Sequence, residues 1–151
     1  VMDFEKMKIS DLYSEVESRV RGLLRENGKE LEIKPYEDAD ISVDGDNFAT
    51  AITNIISNCS RYSKEKIVLE TVSDRKTLLI KIYDDGPGIL PDELHHIFER
   101  FYRGKAGKHG LGLSITKAIV QSHGGNVEAR NRTENGIITG AEFTISLPLK
   151  K

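Results

Sequence analysis

Three short segments of the chain combine polar residues and glycines in patterns that could bind a ligand. In the first, Asn54, Asn58 and Arg61 fall at i, i+4 and i+7. On a helix they form one polar stripe, set about 100° around from an apolar stripe of Phe48, Ala51, Ile52, Ile55, Ile56 and Cys59. Asparagine costs helix propensity relative to Ala or Leu, so two in one helix interior mark either a solvated face or a ligand-binding edge. In the second, Asp84-Asp85-Gly86-Pro87-Gly88-Ile89 follows a run ending at Tyr83. An acid at a strand end, followed by two glycines, lets the backbone approach a flat ligand while a carboxylate points at it. The plainer reading is a Pro/Gly turn. The acidic spacing and closing Glu of a calcium loop are absent.

The third segment, Gly107-Lys108-His109-Gly110-Leu111-Gly112-Leu113, opens a predicted helix. Glycines there let N–H groups and the positive end of the helix dipole face an anion, as in phosphate binding. They would equally allow close helix packing. The dinucleotide-binding pattern needs a strand directly before the glycines, and the P-loop needs Gly-Lys-Ser/Thr; neither is present.

The elements that must position these segments follow from periodicity. Residues 1–9 read as a charged linker tail running into a short strand, Met7 to Ile9. Ser10 or Asp11 is expected to cap a helix with Leu12, Val16, Val20, Leu23 and Leu24 on one face, ending at Asn27-Gly28. Short strands over 30–34 and 40–43 precede a second helix over 47–62, capped by Asp44-Gly45-Asp46. A hairpin is expected over 67–72 and 77–83, then a short helix over 92–98 in a broken polar stretch. A third long helix spans 110–123, and two strands follow, with Ala141, Phe143, Ile145 and Leu147 alternating in the last and Asn135-Gly136 in the loop between. His123 reads as a helix-end residue suited to the dipole. The order gives a mixed sheet covered by helices on one face.

Composition narrows the function. The chain has 151 residues, 22 basic and 24 acidic, for a net charge of −2. One domain of ordinary size is expected, and the balanced charge gives no basis for binding nucleic acid or an anionic membrane directly. A single cysteine, Cys59, excludes an internal disulfide framework.

Taken in order, the segments resemble the ATP-binding domain of the GHKL superfamily (the Bergerat fold), specifically the catalytic domain of sensor histidine kinases. Asn54 to Ser63 resembles the N box, Asp84-x-Gly86-x-Gly88-Ile89 the G1 box, Ile97 to Arg103 the F box, and Gly110-Leu111-Gly112-Leu113 the G2 box. The resemblance implies an α/β (α+β) two-layer sandwich, a mixed, largely antiparallel sheet packed against three helices. It implies residues 1–9 as linker and first strand from a missing dimerisation domain, and 10–151 as the catalytic domain.

It also implies roles. Asp84 accepts a hydrogen bond from the adenine amino group, which guanine cannot offer there. Asn58 binds Mg²⁺ through its amide oxygen, a hard donor for a hard ion. Arg61 contacts a phosphate and Tyr62 packs near the nucleotide. Gly110 and Gly112 present N–H groups to the phosphates, with Lys105, Lys108 or His109 adding charge. Asn54, Gly86, Gly88, Ile89, Arg103, Leu111 and Leu113 complete the implied ATP-binding set. Hydrolytic relatives carry a water-activating Glu where this chain has Asn54, and an amide cannot act as that base, so phosphoryl transfer is favoured over hydrolysis.

The implied function is Mg–ATP binding and transfer of the γ-phosphate to a histidine on a separate dimerisation domain, with a response regulator downstream. The parent protein is expected to be membrane-anchored and this domain cytoplasmic. The alternatives are a regulatory nucleotide-binding module of the same fold without transfer activity, or a protein-serine kinase of the superfamily. The stretch between Arg103 and Gly110 is short, so an abbreviated lid is expected. Where family members often have Gly-Thr this chain has Gly140-Ala141. Asp84→Ala is expected to weaken ATP binding and leave the fold intact.

Overall fold

The computed structural model describes residues 2–100 and 112–149. Arg103, Lys105, Lys108, His109, Gly110 and Leu111 therefore lie outside the described residues. The chain runs β1 (Glu5–Lys8), α1 (Ile9–Asn27), β2 (Glu30–Ile33), β3 (Asp40–Val43), α2 (Gly45–Tyr62), β4 (Lys66–Ser73) and β5 (Thr77–Asp84). It continues through α3 (Pro91–Leu94), α4 (Gly112–Ser122), β6 (Asn126–Glu134) and β7 (Ile137–Pro148).

The main sheet has the order β2-β4-β5-β7-β6, with β2 and β4 parallel and every other pair antiparallel; β1 and β3 form a separate antiparallel pair. Alternation decides which face is buried. Ile67 and Leu69, then Leu78, Ile80 and Ile82, then Phe143, Ile145 and Leu147 enter one core with the apolar stripes of α1, α2 and α4. Helix α2 packs between α1 and α4. The other face carries Lys66, Glu70, Lys81 and Arg130 and is covered by none of the described helices. No described helix is long and apolar enough to cross a membrane.

Several local expectations change. Helix α1 starts at Ile9 with Lys8 as its N-cap and no side-chain cap, because the Ser10 hydroxyl and amide instead donate to Asp38, at 2.6 and 3.0 Å. The helix expected over 92–98 is a single turn at Pro91–Leu94. Beyond it the chain turns inward to bury Ile97 and to set Phe98 edge-on to Phe143, centroids 6.2 Å apart. Residues 3 and 4, ahead of β1, contact the rest of the domain. The Asp3 amide donates to Asp44 Oδ2 at 2.9 Å, and the Phe4 ring stacks on His123 at 4.7 Å.

His123 follows the last residue of α4, at the helix end as expected. It is buried, its Nε2 accepts from the Asp44 amide at 3.0 Å, and its Nδ1 lies 2.8 Å from the Ile119 carbonyl. An amide can only donate and a carbonyl can only accept, so Nδ1 carries the hydrogen that bonds the Ile119 carbonyl, one of the last carbonyls of α4. Asp44 caps α2 as expected, its Oδ1 accepting from the Asn47 amide at 3.2 Å. Its carboxyl is held below the usual range by the Asp3 amide and by Asn47.

Candidate nucleotide site

The apolar stripe of α2 buries Phe48, Ala51, Ile52, Ile55, Ile56 and Cys59 against the sheet, which turns the neighbouring polar stripe to the edge of the core. The stripe is not a solvated face. Asn58 is only 6% exposed, and the half-buried Asn54 donates from Nδ2 to the Gly112 carbonyl at 3.0 Å, holding the first turn of α4 against α2. Arg61, one turn on, is exposed.

Asp84 ends β5 beside this stripe. Its Oδ1 accepts from the Gly86 and Ala141 amides, both at 3.0 Å, so the carboxylate is fixed by its own turn and by β7. Oδ2 takes neither bond. Burial pushes the Asp84 carboxyl above its ordinary value, against the opposing effect of the two amides and of the Cys59 thiol within hydrogen-bond reach. Burial also pushes the Cys59 thiol up, helped by the Asp84 charge, so it is an unreactive neighbour.

The next acid has a different task. Asp85 accepts from the amides of Lys64, Glu65 and Lys66, between 2.7 and 3.2 Å, and closes the loop from α2 to β4. Burial acts to raise its pKa, but those amides outweigh it and hold it below the usual range.

Two glycines and one asparagine set the turn between. A Cβ at Gly86 would overlap the Tyr62 carbonyl. Gly88 has φ +83°, and a Cβ there would meet Ile138 Cγ2 at 2.6 Å and Asn131 Oδ1 at 2.7 Å. Asn131 on β6 clamps the exit of the turn, its Oδ1 accepting from the Ile89 amide and its Nδ2 donating to the Ile89 carbonyl, each at 2.7 Å.

These elements enclose a cleft of about 290 Å³ lined by Asn58, Tyr62, Asp84, Gly88 and Ile89, together with Pro87, Leu90, Pro91, Glu93, Ile138 and Ala141. That volume lies at the small end for ligand sites, and its mainly apolar lining with one fixed carboxylate suits a flat heterocycle bearing an amino donor. Gly86 stands behind the carboxylate. Asn54 and Gly112 meet at the α2–α4 seam, and Leu113 is buried in the core at 4% exposure. Asn131, Leu90, Pro91, Glu93 and Ile138 were not singled out in the sequence, because none belongs to a motif and their approach is a tertiary event.

A family model described as "Histidine kinase-, DNA gyrase B-, and HSP90-like ATPase" matches residues 43–151, and the chain belongs to that family.

Within the family the likeness is to sensor histidine kinases, of which this is the ATP-binding catalytic part. The sensor histidine kinase CpxA of Escherichia coli (strain K12) is 32% identical over 154 residues, covering 97% of this chain and 33% of CpxA. The sensor protein ChvG of Agrobacterium fabrum is 36% identical over 107 residues, 64% of this chain and 18% of ChvG. The structure of the mycobacterial sensor histidine kinase MprB superposes with a TM-score of 0.84 at 27% identity, covering 97% of this chain and 99% of that one. The chain thus spans a third or less of the curated relatives it matches.

Proposed function

We propose that the domain binds Mg–ATP with its adenine in the cleft at Asp84 and transfers the γ-phosphoryl group to a histidine on a partner dimerisation domain of the parent kinase. A response regulator acts downstream, and the parent is membrane-anchored. The observation that carries this reading is the Asp84 carboxylate. It is buried and locked through Oδ1 by two backbone amides, and Oδ2, which takes neither bond, is the oxygen that would accept from an adenine amino group. Guanine presents a carbonyl at the same place, and two acceptors facing each other repel.

The donor set suits a magnesium ion shared with the substrate rather than a protein-made cage. Among the described residues there is no cluster of three or more His, Cys, Asp or Glu side chains able to hold a metal. Mg²⁺ usually takes one or two protein oxygens plus phosphates and waters, and the Asn58 amide oxygen at the cleft edge is such a donor. The ion supplies neutralisation of phosphate charge. Asn58→Ala should therefore weaken Mg–ATP binding at least about tenfold, the loss of one contact to a charge, and leave metal-free adenosine binding unchanged. Calorimetric titration of both ligands checks this, and equal losses would remove Asn58 from the metal.

In the transfer itself the bond from the γ-phosphorus to the bridging oxygen breaks and leaves ADP. A P–N bond forms to the acceptor imidazole, whose nitrogen gives up its proton. Asn54 in place of a carboxylate leaves no base there to activate water, which favours transfer over hydrolysis. Mixing the domain, labelled ATP and a separately made dimerisation domain should give acid-labile label on histidine. Absence of label despite ATP binding would mark a regulatory module, and acid-stable label a serine kinase.

A further inference from the structure

Strict alternation along β7 puts Ala141, Phe143, Ile145 and Leu147 on the core face. Continued backwards, it would put Thr139 with them and Ile138 on the opposite face. The ladder breaks that pattern. Arg132 pairs with Gly140 and Thr133 with Ile138, so Thr139 is one extra residue bulged out of register. Its hydroxyl donates to the Arg132 carbonyl across the bulge, at 3.4 Å. Beyond the bulge the parity is inverted, and Ile138, three residues from Ala141, lines the same cleft.

Ile138 remains 43% exposed, and Leu90, which also lines the cleft, 47%. Asp84 can read only the edge of a heterocycle, whose faces are apolar and need cover. An exposed branched side chain aimed into the cleft loses water contact when a ring enters, and that drives binding. The Asn131 clamp on Ile89 ties the β6–β7 hairpin to the Asp84 turn, so wall and edge-reading carboxylate form one rigid frame.

We propose that Ile138 is a base-binding residue of the nucleotide site, covering a face of the purine, so that the β6–β7 hairpin is a wall of the base pocket. The proposal rests on the Mg–ATP reading and deepens it. The contact is made to the base and not to the phosphates, so every ligand carrying adenine shares it.

The test titrates the wild-type domain, Ile138→Ala, Ile138→Val and Asp84→Asn with adenosine, ADP and Mg–ATP, and records melting temperatures. Ile138→Ala should weaken all three ligands by the same factor, about five- to tenfold for the apolar area removed. Its melting temperature should stay unchanged because the side chain is nearly half exposed. Ile138→Val keeps the branch and should restore affinity to within about twofold. If Asp84→Asn loses adenosine and Ile138→Ala does not, the inference about Ile138 is wrong and the adenine reading stands. A loss for Mg–ATP without one for adenosine also overturns it, and a wild-type domain that binds no adenine ligand overturns both.

Discussion

Asp84→Ala is expected to weaken ATP binding about ten- to 150-fold, the cost of one hydrogen bond to a charged acceptor. The same change is also expected to destabilise the domain. It leaves the Gly86 and Ala141 amides without the acceptor they share, and each unsatisfied buried N–H costs about 1–3 kcal/mol. Asp84→Asn separates the two effects. Its amide oxygen can keep both backbone donors while its NH₂ faces the adenine amino group, donor against donor. Affinity should then fall as for alanine while most stability is kept, as read by titration beside urea unfolding. Unchanged ATP titration of the asparagine variant would take Asp84 out of the site.

The raised pKa of Asp84 adds a pH signature. An ordinary aspartate titrates near 3.9, and burial moves this one upward. The adenine amino group needs an ionised acceptor, so affinity should begin to fall at a higher pH than for an ordinary carboxylate, roughly tenfold per unit below the folded-state pKa. Stability runs the other way. The folded state holds this proton more tightly than the unfolded chain does, so the contribution is full below the unfolded value and is lost as pH rises through the folded one. Asp84→Asn should flatten both dependences in that window.

Gly140→Ala is expected to cost about 3 kcal/mol or more and to abolish nucleotide binding in whatever fraction folds. A Cβ at Gly140 would overlap the Asp84 carbonyl, a backbone atom with no rotamer to escape into, and would lie 3.2 Å from Asp84 Oδ1. Relief would require β7 to move off β5, breaking the Ala141 bond to Asp84 Oδ1 on the way. Gly22 is the internal control. It lies in the interior of α1 with nothing within 4 Å of its added Cβ, so Gly22→Ala should stabilise by about 0.5–1 kcal/mol. Urea denaturation of both variants measures the contrast, and equal effects would show that the close approach at Gly140 is not what restricts it.

Most of the frame could be read from the chain. The apolar stripe of α2, the Asp44 cap, the β4–β5 hairpin and the alternation of Ala141 to Leu147 are local patterns, and each appears in the structure. So is the turn at Asn135-Gly136, where both residues take positive φ, 54° and 78°. The failures are informative for the same reason. Ser10 is a good capping residue by type, but Asp38, 28 positions away, binds it instead. His123 stands at the end of α4 as expected, but its burial between Phe4 and Phe48 and its bond from the Asp44 amide come from elsewhere in the chain.

At the site, residue type left the turn at Asp84 and the asparagine stripe open, and the family resemblance singled them out; in the structure Asp84 and Asn58 line one cleft. Residue type could not say that Asp84 lines the cleft while Asp85 ties down a loop, since the two are adjacent and chemically alike. That division follows from where the amides of residues 64–66 and 141 come to rest. Sequence periodicity likewise aimed Ile138 away from the cleft. One bulged residue reverses the facing of everything beyond it, and a bulge is defined by the pairing of two strands rather than by either alone. The chain's own pattern determined which elements form and which residue types stand at the turn; long-range pairing decided which of two like groups faces the cleft, because direction and burial are properties of neighbours.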